Sequence, residues 1–259
     1  MDFGIRDKYS LVTGGSHGIG RSIALGLADE GCNVAICARD KQRLEKVTAE
    51  IEQRGVKSMG ISADVLVPSD IERAIKAVIN SWGTLHILVN NVGGGGRWGS
   101  PVVEQTPEDV WWDVYNKNAM AAVRFTVQAI PFMRRQKWGR VVTVSSVYGR
   151  EGGGRPWFNM AKAAEISLMK TLAMNPDLAR DGITFNSVAP GAIMIEDTGW
   201  GRMQKENPQE FEKFVAQLPL GRLGTPQEVA NLVVFLCSQK ASLINGACIT
   251  ADGGESKSF

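Results

Sequence analysis

The stretch Tyr9-Ser10-Leu11-Val12-Thr13-Gly14-Gly15-Ser16-His17-Gly18-Ile19-Gly20 decides how this chain folds. Its first part, residues 9–13, is a short β-rich run. After the glycine-rich turn, Ile19, Ile23 and Leu27 recur at four-residue spacing and draw one apolar stripe, the mark of a helix over 19–30. Glycines in such a strand-to-helix turn let the backbone bend sharply and approach a bound group closely. The first N–H groups of the helix, at its positive end, then face an anion. The turn therefore reads as a cradle for the pyrophosphate of a dinucleotide. A ligand-free tight turn is the plainer alternative, and the position between a strand and a helix disfavours it.

The same alternation continues along the chain. Further β-rich runs lie at 33–38, 58–62, 85–90, 140–145, 184–188 and 247–250, with helical patterns at 41–54, 69–81, 107–134, 157–179 and 226–238. Runs such as Val141-Val142-Thr143-Val144 are apolar on both faces, as strands covered by helices on both sides must be. Strands separated by helices imply parallel pairing through right-handed crossovers, hence an α/β fold with a doubly wound parallel sheet of about seven strands. Thr106 before Pro107 and Thr225 before Pro226 look like helix caps followed by proline in the first turn. No linker or repeat divides the chain, so residues 1–259 are expected to form a single domain.

Composition excludes several functions. Net charge is +2, with 29 basic and 27 acidic residues intermixed, so no basic stripe points to nucleic acid or an anionic membrane. Cys32, Cys37, Cys237 and Cys248 form no Cys-x-x-Cys pair and read as reduced thiols. His17 and His86 are the only histidines, which excludes a histidine-rich metal site, and no metal is expected. The start of the chain shows no charged-then-apolar leader, and no apolar run reaches membrane-spanning length. A cytoplasmic protein is expected.

The spacing Gly14-x3-Gly18-x-Gly20 after Thr13 resembles the short-chain dehydrogenase/reductase family. So do Asn90-Asn91-Val92-Gly93 after the fourth strand, Asn118 in the next helix and Ser145 at the end of the fifth strand. Lys162, Pro190-Gly191 and Asp252-Gly253-Gly254 complete the series in the family's order. The chain is most similar to the 3-oxoacyl-carrier-protein reductase-like branch. The resemblance implies a nicotinamide cofactor held by Gly14, Ser16, His17, Gly18, Ile19 and Gly20, by Asp64 and Val65 at the adenine, and by Asn91, Val92, Gly93, Lys162, Pro190, Gly191 and Ile193. Where NAD-selective members carry an acidic residue, near Cys37, this chain has none, and Arg39 can offer a planar cation to a 2′-phosphate. NADP(H) is therefore favoured over NAD(H), although Asp40 could pair with Arg39, and Arg39 could be a solvated strand-end residue.

In the family a tyrosine moves the proton at the substrate oxygen, a lysine one helical turn on lowers its pKa, a serine binds the oxygen, and an asparagine steadies a water. By this resemblance Ser145, Lys162 and Asn118 take three of the roles. The tyrosine position, four residues before Lys162 and thirteen after Ser145, is Phe158. Phenylalanine keeps the ring and loses the proton donor, which is worth about 10²–10⁴ in rate. Four readings stay open: a relocated donor (Tyr148, or Lys162 through water), an engineered tyrosine-to-phenylalanine exchange, a cofactor-binding pseudoenzyme, or non-redox chemistry such as dehydration or isomerisation. The expected activity is an NADP(H)-dependent interconversion of a small-molecule carbonyl and alcohol, with the substrate acyl-linked in the nearest branch. Ile195, with Thr198 nearby, stands where members often place a nicotinamide-contacting threonine.

The resemblance places a substrate lid around 191–223, where Trp200, Met203, Phe211 and Phe214 could either cover a substrate or pack the lid itself. Arg97, Arg150 and Arg155, in the loops 93–98 and 148–157, could receive an acidic group or stand solvated. A homotetramer or dimer is implied through the helices at 107–134 and 157–179, with Ala119, Ala121, Ala122, Ala161, Ala163 and Ala164 permitting close approach.

Overall fold

A computed structural model describes residues 2–259. The strands are β1 (Tyr9–Thr13), β2 (Asn33–Ala38), β3 (Ser58–Ser62), β4 (Ile87–Asn90), β5 (Gly139–Val144), β6 (Ile183–Pro190) and β7 (Cys248–Ala251). All pair in parallel in one sheet of order β3-β2-β1-β4-β5-β6-β7. The order reverses between β1 and β4. There the crossovers leave to opposite sides, and a crevice opens at the carboxyl ends of the strands.

The period-2 alternation of each strand sends neighbours to opposite faces. Leu11, Ala35, Leu88 and Val141 join a core with Phe125 and Phe185, whereas Val12, Ile36, Val89 and Val142 join another with Ile23 and Val233. The second core is closed by α1 (Gly18–Asp29), α2 (Lys41–Glu52) and α10 (Pro226–Leu236); the first by α3 (Pro68–Trp82), α5 (Ala121–Arg135) and α6 (Pro156–Ala173). Thr225 accepts from the N–H of Glu228, whose carboxylate accepts from the N–H of Thr225. That reciprocal box starts α10 as its sequence suggests.

Two helical patterns divide. The 107–134 stretch becomes α4 (Glu108–Tyr115), a π turn (Asn116–Met120) and α5. The 157–179 stretch breaks between α6 and α7 (Pro176–Arg180), where Asn175 caps α7 through the N–H groups of Asp177 and Leu178. Proline after Asn175 cannot continue the i→i−4 ladder, so the helix restarts. Thr106 is not a cap. Its Oγ1 accepts from Ser100 N (3.0 Å), tying the loop instead.

Within 191–223 two short helices, α8 (Gly199–Glu206) and α9 (Pro208–Val215), have no apolar stripe long enough to stand out in the sequence. They close on a small core of Ala192, Phe211, Leu218 and Leu223, with Met203 and Phe214 packed against it and Trp200 stacked on Phe214 at 4.3 Å. Four of the alanines expected at a subunit contact, Ala119, Ala121, Ala122 and Ala161, are buried inside the protein; only Ala163 and Ala164 turn outward. A 3.6-residue helix has room for both an inner and an outer small-residue face, and composition alone does not say which is which. Among the described residues no helix is long and apolar enough to cross a membrane. No cluster of three or more potential metal ligands occurs among them.

Candidate active site

The carboxyl ends of β1, β4 and β5 converge. Thr13 Oγ1 accepts from the N–H groups of Asn91 (2.9 Å) and Val92 (3.1 Å), and Asn91 Nδ2 returns a bond to the Thr13 carbonyl (2.9 Å). These bonds lock the glycine-rich turn to the end of β4. A Cβ on Gly20 would collide with the Gly14 carbonyl oxygen and the Asn91 amide, so only glycine lets α1 start this close to β1. His17 opens α1 without capping it, which leaves the first N–H groups without a side-chain acceptor.

A cavity of about 730 Å³ runs from this turn to the end of β2, lined by Gly14, Ser16, His17, Arg39, Asp64 and Val65 among others. A second, of about 440 Å³, adjoins it through His17, Asn91 and Gly93 and reaches Gly18, Ile19, Gly20, Ser145, Phe158, Lys162, Pro190, Gly191, Ile193 and Ile195. Val92 lines the first cavity and Thr198 the second. The cleft is long enough for a dinucleotide, with anion-seeking N–H groups in its middle and cations at one end. Its residues fit such a group.

At the β2 end Arg39 is 70 % exposed, with Asp64 3.9 Å away. Asp40 faces elsewhere: it caps α2 by accepting from Arg43 N (3.1 Å) and pairs with the Arg43 side chain (3.4 Å). Arg39 is thus left with one weak, solvated partner. Arg43 is a second cation in this wall, unmarked in the sequence because it stands a helical turn inside α2. It also binds Asp197 (2.8 Å), which takes His17 Nε2 at 2.6 Å and so bridges the 191–223 segment to the glycine-rich turn.

At the other end Asn118 is fully buried in the π turn. Its Nδ2 donates to the carbonyls of Val114 (2.7 Å) and Gly94 (2.9 Å), and its Oδ1 accepts from Gly94 N (3.1 Å). A π turn loosens the backbone ladder by one residue and commonly marks a functional position. A Cβ on Gly93 would lie 2.8 Å from both Asn118 Oδ1 and Lys162 Nζ, so that glycine is what lets these two groups share one wall.

Phe158 lies flat over Gly96, to which an added Cβ would bring its ring within 3.4 Å, and Lys162 Nζ sits 5.8 Å from the ring centroid. Ser145 Oγ donates to the Lys162 carbonyl (2.9 Å). The structure therefore brings Ser145, Phe158 and Lys162 together, with Asn118 behind Gly93. Tyr148 is not brought in. Its ring packs against Gly153 and Gly154 outside the lining of this cavity. Burial, and then the charges of Glu255 and Glu151, raise its pKa and make it a weaker acid than a free phenol.

The three loop arginines are engaged as well. Arg150 donates to Cys248 O (2.7 Å), to Ser258 and to the Phe259 carbonyl; Arg155 donates to Ser100 O (2.7 Å); Arg97 stacks on Trp200.

A further residue beside the site, like Arg43, carried no mark in the sequence reading. Glu165, on α6, is 1 % exposed and holds Lys162 Nζ at 3.0 Å. Lys162, itself buried, also donates to Val144 O (3.1 Å). The signal was present: Ala161, Lys162, Glu165 and Met169 form the inward stripe of α6, and a carboxylate on such a stripe requires a partner. Burial pushes the Glu165 carboxyl up to about 7, although the charge and hydrogen bonds of Lys162 draw it back part of the way.

This geometry has counterparts. Residues 14–256 match the family model described as Enoyl-(Acyl carrier protein) reductase. The 3-oxoacyl-[acyl-carrier-protein] reductase FabG of Staphylococcus aureus is 39% identical over 249 residues, covering 95% of this chain and 97% of that one. The structure of L-sorbose reductase from Gluconobacter frateurii, complexed with NADPH and L-sorbose, superposes with a TM-score of 0.90 at 31% identity over 100% of both chains. That of a single-residue variant of the actinorhodin polyketide ketoreductase, with NADPH, does so with a TM-score of 0.89 at 29% identity, covering 97% of this chain and 98% of that one. The chain belongs to the short-chain dehydrogenase/reductase family, in its 3-oxoacyl-carrier-protein reductase-like part. Its class is thereby that of an oxidoreductase.

Proposed function

We propose that this protein is an NADP(H)-dependent oxidoreductase that interconverts a carbonyl and an alcohol on an acyl-linked or similarly sized substrate, with a proton path that bypasses residue 158. The observation that carries this reading is the continuous cleft joining the glycine-rich turn to Ser145 and Lys162. Arg39 and Arg43 at its far end, with Asp40 turned away, support a 2′-phosphate and make NAD(H) the weaker choice. Relatives named for 3-oxoacyl-carrier-protein reduction and neighbours solved with NADPH agree with it.

The bound dinucleotide supplies hydride chemistry at its nicotinamide ring. The protein's part is to place and polarise. Gly14, Ser16, Gly18, Ile19 and Gly20 offer the backbone turn and the positive end of α1 to the phosphates. Asn91, Gly93, Pro190, Gly191 and Ile193 form the walls of the inner cavity. Ser145 presents a hydroxyl to the substrate oxygen, and Lys162 supplies a fixed positive charge beside it. Asn118 holds the loop at Gly94 against α4 and so sets the wall facing Lys162. The 191–223 segment serves as the lid, fastened through Asp197 to His17 and Arg43. Subunits associate through the outer faces of α4, α5 and α6, where Trp112, Val127 and Met160 are exposed.

A protein that binds the dinucleotide without turnover is the second reading, favoured by the missing hydroxyl at Phe158 and by Tyr148 lying outside the cavity. Tryptophan fluorescence titrated with NADPH and NADH, followed by turnover of a panel of 3-oxoacyl thioesters, ketones and secondary alcohols, separates the two. Tighter binding of NADPH and turnover of at least one carbonyl are expected. Equal affinities remove the role of Arg39. NADPH binding with no turnover, in both the unaltered protein and Phe158→Tyr, establishes the second reading.

A further inference from the structure

The 191–223 segment meets the glycine-rich turn through a carboxylate. Its bend at Ile195–Thr198 is closed by two bonds to the Ile195 carbonyl, from Thr198 N (3.1 Å) and Thr198 Oγ1 (2.8 Å), and Asp197 stands inside that bend. Ile195 rests on the start of α1: a Cβ added to Gly18 would lie 2.8 Å from Ile195 Cδ1. From this position the Asp197 carboxylate reaches two basic side chains with one oxygen each. Oδ1 accepts from His17 Nε2 at 2.6 Å, and Oδ2 accepts from Arg43 Nη2 at 2.8 Å. Both partners line the larger cavity, one at the glycine-rich turn and the other towards the end of β2, whereas Asp197 does not line it. Partial burial opposes the charge of Asp197, but the Arg43 hydrogen bond and the charge of His17 outweigh it and hold the carboxyl below its ordinary range.

We infer that Asp197 stands in for the 2′-phosphate of NADP(H): it holds His17 and Arg43 until that phosphate takes them, and the exchange unfastens the 191–223 segment. The inference rests on the NADP(H) reading above. It makes Asp197 a specificity-determining residue that acts through Arg43 and His17 rather than by touching the dinucleotide. Only ion pairs change partners in the exchange.

The physical case is one of competing anions. A carboxylate presents one charge and two oxygens to His17 and Arg43. A phosphate monoester presents three oxygens and nearly two charges at neutral pH, and the planar fork of arginine suits either group, so the phosphate is the stronger partner. The present pair is weak enough to exchange: the Arg43 and Asp197 side chains are 47 % and 50 % exposed, and solvent-screened ion pairs contribute little. Arg43 is where the two dinucleotides differ, because it shares a cavity wall with Arg39, whereas the N–H groups of α1 face the pyrophosphate that both carry. A ligand moves a segment only by binding its two arrangements unequally. NADPH does so through its extra phosphate; NADH brings no anion to Arg43 and leaves the segment tied down.

Dinucleotide affinities read by tryptophan fluorescence test the exchange, at low ionic strength so that screening does not mask it. Asp197→Asn should tighten NADPH about two- to fivefold, the contribution of one half-exposed ion pair, and leave NADH unchanged. Glu196→Gln, which removes a neighbouring exposed carboxylate of the same segment, should alter neither affinity and so controls for a general effect of charge. In an Arg43→Gln background the gain from Asp197→Asn should shrink. Amide hydrogen exchange follows the segment itself. In the unaltered protein NADPH should speed exchange at Thr198 and Arg202, both hydrogen-bonded within the segment, beyond the rate with NADH; in Asp197→Asn the two dinucleotides should give the same rate. Several results overturn the inference and leave the NADP(H) reading standing: unchanged or weaker NADPH binding in Asp197→Asn, equal tightening of NADH, equal tightening in Glu196→Gln, a full gain in the Arg43→Gln background, or exchange rates that do not distinguish the dinucleotides in the unaltered protein. An unaltered protein that binds NADH as tightly as NADPH defeats that reading, and the exchange with it.

Discussion

The two ends of the cleft are built on different principles. The phosphate end is made from backbone: a turn without side chains, the N–H groups of α1, and the bonds of Thr13 that tie β1 to β4. The reacting end is made from side chains, with Ser145, Lys162, Glu165 and Asn118 held by one another and by carbonyls of neighbouring elements. A backbone device has few alternatives, because any Cβ at the closest points collides. A side-chain network can exchange a member and be rebalanced. That is why the first end leaves no room for a side chain at Gly20, while the second can seat Phe158 beside Lys162 and bury a carboxylate at Glu165.

Gly20→Val should break the backbone end most severely. Its new side chain meets the Gly14 carbonyl and the Asn91 amide. Overpacking of about 1–3 kcal/mol is expected in thermal unfolding, along with loss of detectable NADPH binding in the fluorescence titration. If Gly20→Val binds NADPH normally, the cleft is not the dinucleotide site.

The side-chain end has a signature in stability against pH. Glu165 has a folded pKa of about 7, raised from 4.5, so the contribution favouring the folded state is complete below the unfolded value and is lost as pH rises through about 7. The melting temperature of Glu165→Gln should therefore lack a decline that the unaltered protein shows between these two values. Parallel curves would mean that Glu165 ionises in the folded protein as it does in the unfolded chain.

Arg39→Ala sharpens the contrast from the polar rim. The lost phosphate contact should weaken NADPH about tenfold, or about 1.4 kcal/mol, and leave NADH unchanged in the same titration. Equal weakening of both would assign Arg39 to the adenosine rather than to the phosphate. The smallest effect is expected outside the lining of the cleft: Thr225→Ala removes one half of the α10 capping box and should cost about 1 kcal/mol in denaturant unfolding, with a far smaller effect on kcat than the changes above.

Legibility followed the same division. The glycine spacing, the order of strands and helices, and the positions of Ser145, Asn118 and Lys162 were readable because each depends on local spacing along the chain. The break at Asn175-Pro176 and the π turn at Asn118 were hidden inside continuous helical patterns, since both are changes of hydrogen-bond register rather than of composition. The helices of 191–223 were missed because their apolar residues pack on one another over short spans. Tyr148 looked well placed from its spacing to Ser145, but three residues in a turning loop do not fix a direction. Glu165 lay in plain sight on α6 and was passed over, because a glutamate on a helix is usually a solvated one.

The sequence by itself determined the sheet, the phosphate cradle and the absence of a phenol at residue 158, because these follow from residue type and from repeats of two and of about 3.6 residues. Only the tertiary structure decided that Asp40 serves α2 rather than Arg39, that Tyr148 lies outside the cavity, and that Glu165 shares a buried site with Lys162 and Ser145. The physical reason is that charge and acidity depend on burial and on neighbours brought from distant parts of the chain, and neither is set until the helices close on the sheet.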